Sequence, residues 1–334
     1  MKKKFSVCII GCGNIFNNHA VSLLALDNVE ISALCDIDGE RAARKRSEHS
    51  LTCPIYDDYI RMLDEIKPDA VHILTPHHLH AEMTLEALKR DIFVFLEKPM
   101  CIKEYDIQKL LIAEENSRAS VCVSFQNRFN EATLMAKKAA DDDGGALRGF
   151  GTVIWNRDDA YYSAGAWRGK YATEGGGVMI NQAIHTLDLL CFFLGIPKKV
   201  QSICSNMRHR DSIEVEDSCE SIIDFDGGRV ANVFATTCYS GHDSTTLRIE
   251  TKNHVIEIRD ADLYLDGEHI QIEKPDAYIG KKCYGSSHLI LIEKFYRAIS
   301  EGDRMPVTLT EAQNAVRIIL AAYDSNSKII DLKY

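Results

Sequence analysis

Glu97-Lys98-Pro99 closes an apolar run, Phe93-Val94-Phe95-Leu96. A strand of that kind seldom delivers a lysine, because lysine is rarely buried without a partner. At the carboxyl edge of an open α/β sheet, where ligands bind, its ammonium could hydrogen-bond a substrate hydroxyl and stabilise the alkoxide as hydride leaves. Pro99 restricts the backbone beside it. For the tripeptide alone, a surface charge pair is the plainer alternative. A second dense segment runs from Gly175-Gly176-Gly177 through Asn181, His185 and Asp188. Three glycines permit close backbone approach ahead of a helix. On that helix the three polar residues fall at i, i+4 and i+7 and share one face. A neutral His185, with an ordinary pKa of about 6.5, suits taking a proton from a hydroxyl. The alternative is a structural histidine satisfied by Asp188.

Gly11-Cys12-Gly13-Asn14-Ile15-Phe16 follows the first apolar run and opens a helical pattern. Gly11 permits a tight turn, and Gly13 lets a pyrophosphate approach the helix N-terminus, where unpaired N–H groups attract anions. The third position of the usual pattern is Gly or Ala, and here it is Phe16. Helix and strand then sit further apart, or Phe16 points into a cleft between domains. Asp36 ends the second apolar run about 20–25 residues on, where a carboxylate accepts from both hydroxyls of an adenosine ribose and repels a 2′-phosphate. Ile37 follows rather than an arginine, so nothing in the adjacent sequence compensates that phosphate. The expected cofactor is NAD, with NADP disfavoured. Thr75-Pro76-His77-His78-Leu79-His80 lies after the fourth apolar run. His77 and His80 lack a nearby carboxylate or cysteine to complete a metal set, so no metal is expected and a place near the nicotinamide is preferred.

These residues need a scaffold. Apolar runs at Phe5–Ile10, Val29–Leu34, Ala70–Leu74, Ile92–Leu96 and Val121–Val123 read as strands buried on both faces. Helical patterns at Asn14–Leu26, Asp38–Glu48, Asp57–Ile66, His77–Lys89 and Lys103–Asn116 alternate with them. Strand–helix alternation predicts right-handed βαβ units and a parallel sheet. After residue 123 the pattern becomes longer alternating stretches with hairpin signals at Asp226-Gly227-Gly228 and Asp266-Gly267. Asp141-Asp142-Asp143-Gly144-Gly145 reads as a charged loop. Helices are predicted at Ser287–Ser300 and Thr310–Ser325. The fold class is therefore α/β: a Rossmann dinucleotide-binding domain over 1–123, then an α+β domain over 124–334 with a mostly antiparallel sheet.

The succession GCGNIF, Asp36, TPHHLH, EKP, WRG and GGGxxxNQAIHTLD resembles the Gfo/Idh/MocA oxidoreductases, along essentially the whole chain. The resemblance implies NAD(P)-dependent oxidation or reduction of a sugar, sugar derivative or cyclitol. It also implies a second domain whose large open sheet builds a homodimer or homotetramer. By resemblance, Lys98 contacts the reacting hydroxyl and the nicotinamide ribose, and His185 is the acid/base. Cofactor contacts carried over are Gly11, Gly13, Asn14, Ile15, Asp36, Ile37, Thr75, Pro76, His77, His80, Glu97, Gln126, Trp167 and Arg168. Substrate contacts expected are Arg128, Asn156, Tyr161, Asn181 and Tyr284. Many members carry Asp where this chain has Asn181. An amide orients a hydroxyl but does not accept its proton, so the base is assigned to His185. Two alternatives stay open: an NAD-retaining enzyme that cleaves glycosides through transient oxidation at C3, and a non-catalytic sugar- or nucleotide-sensing regulator.

Composition bounds the rest. Among 334 residues, 39 Lys+Arg against 49 Asp+Glu give a net charge of −10, which argues against a nucleic-acid partner. No uncharged apolar run reaches the length of a membrane span. The basic start, Lys2-Lys3-Lys4, precedes too short an apolar stretch for a signal peptide. Eleven cysteines, an odd number with no CxxC pair, argue against a disulfide framework and for a reducing, cytoplasmic setting.

Overall fold

The computed structural model describes residues 4–241, 244–272 and 287–334. Tyr284, expected to contact substrate, lies outside them. The chain forms two compact units.

The first unit holds a six-stranded sheet: β1 (Phe5–Ile10), β2 (Val29–Cys35), β3 (Ile55–Tyr56), β4 (Ala70–Ile73), β5 (Phe93–Leu96) and β6 (Val121–Val123). All pairs are parallel, in the order β3-β2-β1-β4-β5-β6. That is the strand order of dinucleotide-binding folds, and it reverses at β1/β4, beyond whose carboxyl ends ligands bind. The strands are buried along nearly their whole length, as both-face coverage by helices requires. The covering helices are α1 (Phe16–Leu24), α2 (Gly39–Glu48), α3 (Tyr59–Ile66), α4 (His80–Leu88) and α5 (Glu104–Glu115). Asp38 and Asp58 start α2 and α3 by accepting the backbone N–H of Arg41 and Arg61. Phe16 is fully buried, its ring edge against His49, and so does not project from the unit.

The second unit begins near Asn127 and carries α6 (Glu131–Asp142), β7 (Arg148–Ile154), α7 (Asp159–Ser163), α8 (Ile184–Leu194) and strands β8 (Pro197–Ser205) to β14 (Glu268–Ile270). Between these last two lie β9 (Ser218–Phe225), β10 (Arg229–Thr236), β11 (Ser244–Glu250), β12 (Val255–Arg259) and β13 (Asp262–Leu265). A nine-stranded sheet runs β14-β13-β12-β11-β7-β10-β9-β8-β15, with β15 at Ile329–Asp331. Only β7 and β10 pair in parallel. Side chains along β9 alternate buried and exposed, the signature of a sheet covered on one face. α8 lies on the covered face because Gly149 and Gly151 of β7 make room: a Cβ at either would come within 2.5 and 2.6 Å of Leu190 and Thr186.

Three expectations are revised here. The expected division at 123/124 places all later residues in one domain, but α9 (Ser287–Glu301) returns to the first unit and packs on α1, burying Phe295 and Tyr296. The helix α10 (Leu309–Ser325) then re-enters the second unit. The segment 141–145, read as a charged loop, begins inside α6: Asp141 and Asp142 end the helix, and 143–145 form the turn that follows. Lys137 and Lys138 pair with Asp141 and Asp142 one turn on, and the chain leaves the helix at Gly144 and Gly145 with φ of 86° and 95°. Cys204 and Cys219 form a disulfide directly across β8 and β9, a pairing set by strand register and invisible in sequence spacing. Among the described residues no helix is long and apolar enough to cross a membrane.

Candidate active site

In the first unit, the turn after β1 fits a dinucleotide. Gly11 has φ 97°, and a Cβ there would meet the Leu74 carbonyl at 2.7 Å. Gly13 faces open space: a Cβ would find nothing within 4 Å. No side chain caps α1 at its N-terminus, so its first N–H groups suit a phosphate. Asn14 is exposed and Ile15 half-buried on the same turn. Asp36 ties the turn to the end of β2: one oxygen accepts the Cys12 N–H at 2.8 Å, the other the Asp38 N–H at 2.9 Å. Gln126, after β6, keeps Oε1 buried with no protein partner among the described residues, an acceptor suited to a bound amide.

One expectation fails at this edge. Ile37 is 93% exposed, but Arg41, one turn into α2, brings Nη1 to 3.4 Å from both Asp36 oxygens. A cation does stand beside the ribose-site carboxylate. The adjacent position does not reveal it, because a helix returns its side chains to one face every three to four positions.

The Thr75–His80 segment and the Lys98 edge are locked together. His80 is fully buried, with Nδ1 2.7 Å from the Pro99 carbonyl and Nε2 2.8 Å from the Thr75 carbonyl. Burial lowers its pKa, and the neutral ring donates its single N–H to one of these carbonyls, so His80 braces the two loops. Thr75 and Pro76 are half-buried, and His77 is buried with its ring 5.8 Å from that of His80. Lys98 is half-buried and precedes a cis peptide bond to Pro99. Glu97 is buried and pairs with His19 at 3.0 Å. His19, Glu97 and His288 place potential ligand atoms within 4.8 Å of one another.

In the second unit, residues 179–183 form a π-helical turn that runs into α8. Such turns are rare and widen the helix, so Asn181 and His185 do not keep simple α-helical spacing. Asn181 donates its amide to Glu174 Oε1 at 2.6 Å and to the Tyr161 hydroxyl at 3.3 Å. Glu174 is buried and also accepts the Gly169 N–H. A carboxylate is therefore present beside position 181, supplied from seven residues upstream. Tyr161 accepts from Gln182 as well, and its ring carries the guanidinium groups of Arg168 at 4.3 Å and Arg157 at 5.0 Å. Trp167 stacks under the same Arg168 at 4.9 Å. Asn156 is exposed and accepts from Arg208.

Arg128, expected at the substrate, is buried in an ion pair of the second unit. It is 5% exposed and holds Asp188 through two bonds of 2.8 and 2.6 Å, with Phe192 against its guanidinium. The same pair engages Asp188, the residue that the structural alternative assigned to His185. Glu216, absent from the sequence reading, accepts the N–H groups of Gly177 and Met179 and the Tyr323 hydroxyl. It thereby anchors the start of the helical segment bearing His185. Burial pushes its carboxyl up from 4.5 to about 7, against the pull of those three donors. A carboxyl raised by folding favours its protonated form, so its contribution to stability is full below about 4.5 and declines as pH rises to about 7. Glu216→Gln is expected to flatten that decline, on the order of 3 kcal/mol for a shift of this size. Thermal unfolding followed from pH 4.5 to 7 checks this, and an unchanged slope would contradict it.

A Rossmann unit with a fitted dinucleotide turn, joined to an antiparallel-sheet unit that presents a histidine on a helix, defines a class of nucleotide-dependent oxidoreductases. Comparison with known proteins makes the assignment specific. Residues 5–125 match the model "Oxidoreductase family, NAD-binding Rossmann fold", and residues 133–257 match "GFO/IDH/MocA C-terminal domain". The chain belongs to the Gfo/Idh/MocA family of oxidoreductases, and its cofactor is NAD. Inositol 2-dehydrogenase of Salmonella paratyphi B is 28% identical over 135 residues, 40% of each chain, so the match spans two-fifths of that relative's length. D-glucoside 3-dehydrogenase of Escherichia coli is 26% identical over 67% of this chain and 68% of its own. Among solved structures, levoglucosan dehydrogenase in complex with NADH superposes with a TM-score of 0.89 at 20% identity, covering 99% of this chain and 100% of its own. The WlbA dehydrogenase from Bordetella pertussis gives 0.88 at 22%, again over 99% and 100%.

Proposed function

We propose that this protein is an NAD-dependent dehydrogenase acting on a secondary hydroxyl of a sugar, sugar derivative or cyclitol. The observation that carries the reading is Lys98, delivered after β5 at the carboxyl edge of the parallel sheet, the same edge at which β1 ends in the dinucleotide turn two strands away. NAD, held by Gly11, Gly13, Asp36 and neighbouring backbone, supplies the hydride acceptor or donor. The Lys98 ammonium hydrogen-bonds the reacting oxygen and stabilises its negative charge as the C–H bond breaks. His185 takes the hydroxyl proton in oxidation and returns it in reduction. Glu174 fixes the amide of Asn181 so that it orients a substrate hydroxyl. Names of relatives support the substrate class: inositol, D-glucoside and levoglucosan dehydrogenases share this family or fold.

Asp36 favours NAD over NADP in this reading, because its charge repels a 2′-phosphate and Arg41 is already engaged with it. Competition binding with the two nucleotides tests this. NAD is expected to bind at least about tenfold more tightly, a gap of about 1.4 kcal/mol. Equal affinity would show that Arg41 turns to the phosphate.

The outer face of the nine-stranded sheet supports self-association. Phe150, Ile203 and Ile222 point to that face and are exposed by 42%, 59% and 49%, a row that a second copy would cover.

A further inference from the structure

Gly176 and Gly177 are crowded, not open. A Cβ on Gly176 would lie 1.9 Å from the Tyr323 hydroxyl, and one on Gly177 would lie 1.8 Å from the Glu216 backbone carbonyl. The two glycines form a socket for residues from elsewhere in the second unit: Glu216, just before β9, and Tyr323, in α10. Glu216 takes three consecutive backbone N–H groups. Its side chain accepts Gly177 at Oε2, 2.8 Å, and Met179 at Oε1, 3.0 Å, and its backbone carbonyl accepts Val178 at 3.2 Å. These N–H groups start a helical segment, where no preceding turn satisfies them. The Tyr323 hydroxyl, kept protonated by burial, donates to the same Oε1 at 3.0 Å. Glu216 is 3% exposed, and each of these partners is a neutral donor. A serine or asparagine caps a helix without burying a carboxyl, so capping alone does not account for this residue.

The segment so held leads into the π-helical turn 179–183 and then α8. A π-helical turn holds one residue more than an α-helical turn and is rarely adopted. Relaxing it to α-helix would shift the register by one residue and rotate one side of the turn by about 100° against the other. Three fixed points oppose that change. Glu216 holds 177–179, Glu174 holds the Asn181 amide at 2.6 Å, and α8 is seated over Gly149 and Gly151 through Leu190 and Thr186. The Asn181 N–H bonds the Gly177 carbonyl at 3.2 Å, which couples Asn181 directly to a clamped residue.

We propose that Glu216 and Tyr323 are positioning residues for proton transfer: they fix residues 177–179 so that the π-helical turn keeps Asn181 and His185 in register with each other. The proposal rests on the reading of His185 as the acid/base of the hydride-transfer step. Both residues act through the backbone of the turn, and neither is catalytic.

The test uses the full chain. Hydrogen exchange read by mass spectrometry is expected to show residues 177–185 losing protection by at least about tenfold in Glu216→Ala while β9 and β10 keep theirs. With a substrate found by NADH formation, Glu216→Ala is expected to lower kcat by roughly 10²-fold, the usual cost of a misplaced catalytic group. KM for NAD is expected to stay unchanged, since the dinucleotide turn lies in the first unit. The solvent deuterium isotope effect on kcat is expected to rise, because a displaced acid/base makes proton movement the slow step. Glu216→Gln, which keeps one acceptor oxygen, is expected to recover part of the loss. Tyr323→Phe deletes a single oxygen and keeps the ring in place. It is expected to lower kcat by roughly tenfold, and it reads the same effect if Glu216→Ala does not fold. Protection lost throughout the second unit, an unmoved isotope effect, kcat near wild type in both Glu216→Ala and Tyr323→Phe, or equal losses in Glu216→Ala and Glu216→Gln would each overturn the proposal. No turnover in the wild type, or turnover retained in His185→Ala, with the exchange result as stated, would instead remove the reading of His185 on which the proposal stands.

Discussion

Lys98→Ala is expected to lower turnover by roughly 10²–10⁴-fold, the usual contribution of a positioned proton and charge donor, while NAD binding is retained. The two effects are expected to separate because the turn at Gly11 and Gly13 is tied to the end of β2 through Asp36, which accepts the Cys12 and Asp38 N–H groups. Nucleotide fluorescence titration reads binding, and absorbance of the reduced nicotinamide reads turnover. Activity within a few-fold of wild type would end the mechanism. Loss of binding and turnover together would mean that Lys98 serves the fold of the loop that His80 braces through the Pro99 carbonyl.

Arg128→Ala is expected to destabilise the protein by about 3–5 kcal/mol, because it leaves the Asp188 carboxylate charged, buried and without its two-point partner. Asp188 is 1% exposed. Replacing both residues by apolar side chains, Arg128→Met with Asp188→Leu, is expected to recover most of that loss, since the desolvation of two charges disappears with them. Denaturant unfolding measures both. A loss under about 1 kcal/mol in Arg128→Ala, the range of an exposed ion pair, would return Arg128 to the substrate-contact role first expected of it.

The Rossmann strands were legible because each is a short β-branched run between turn residues, and burial on both faces leaves no polar alternation to confuse them. β3, at two residues, was too short to carry a pattern. α6 was missed for a different reason: a run of three aspartates reads as a loop unless the two lysines one turn earlier are weighed as ion-pair partners. At the site, motif residues such as Gly11, Asp36 and Lys98 announce themselves by type and position. The residues that hold them do not. Glu174, Glu216, Arg41 and His19 act through contacts set by the folded path, at separations of 5 to 107 residues from their partners. The pairing of Asp188 with Arg128, 60 residues away, is the same kind of fact. Helical spacing placed Asp188 on the face of His185, and the fold adds the buried Arg128 guanidinium to it.

The central claim is hydride transfer from a sugar or cyclitol hydroxyl to NAD. Its most direct test is incubation of the purified chain with NAD and a panel of cyclitols, free sugars and glycosides, monitoring reduced nicotinamide and released aglycone together. The account predicts NADH formed in step with a keto product for at least one substrate, and its loss in Lys98→Ala. Aglycone released from a glycoside with no NADH accumulating would contradict it, and would point to a retained cofactor that is reduced and reoxidised within one turnover.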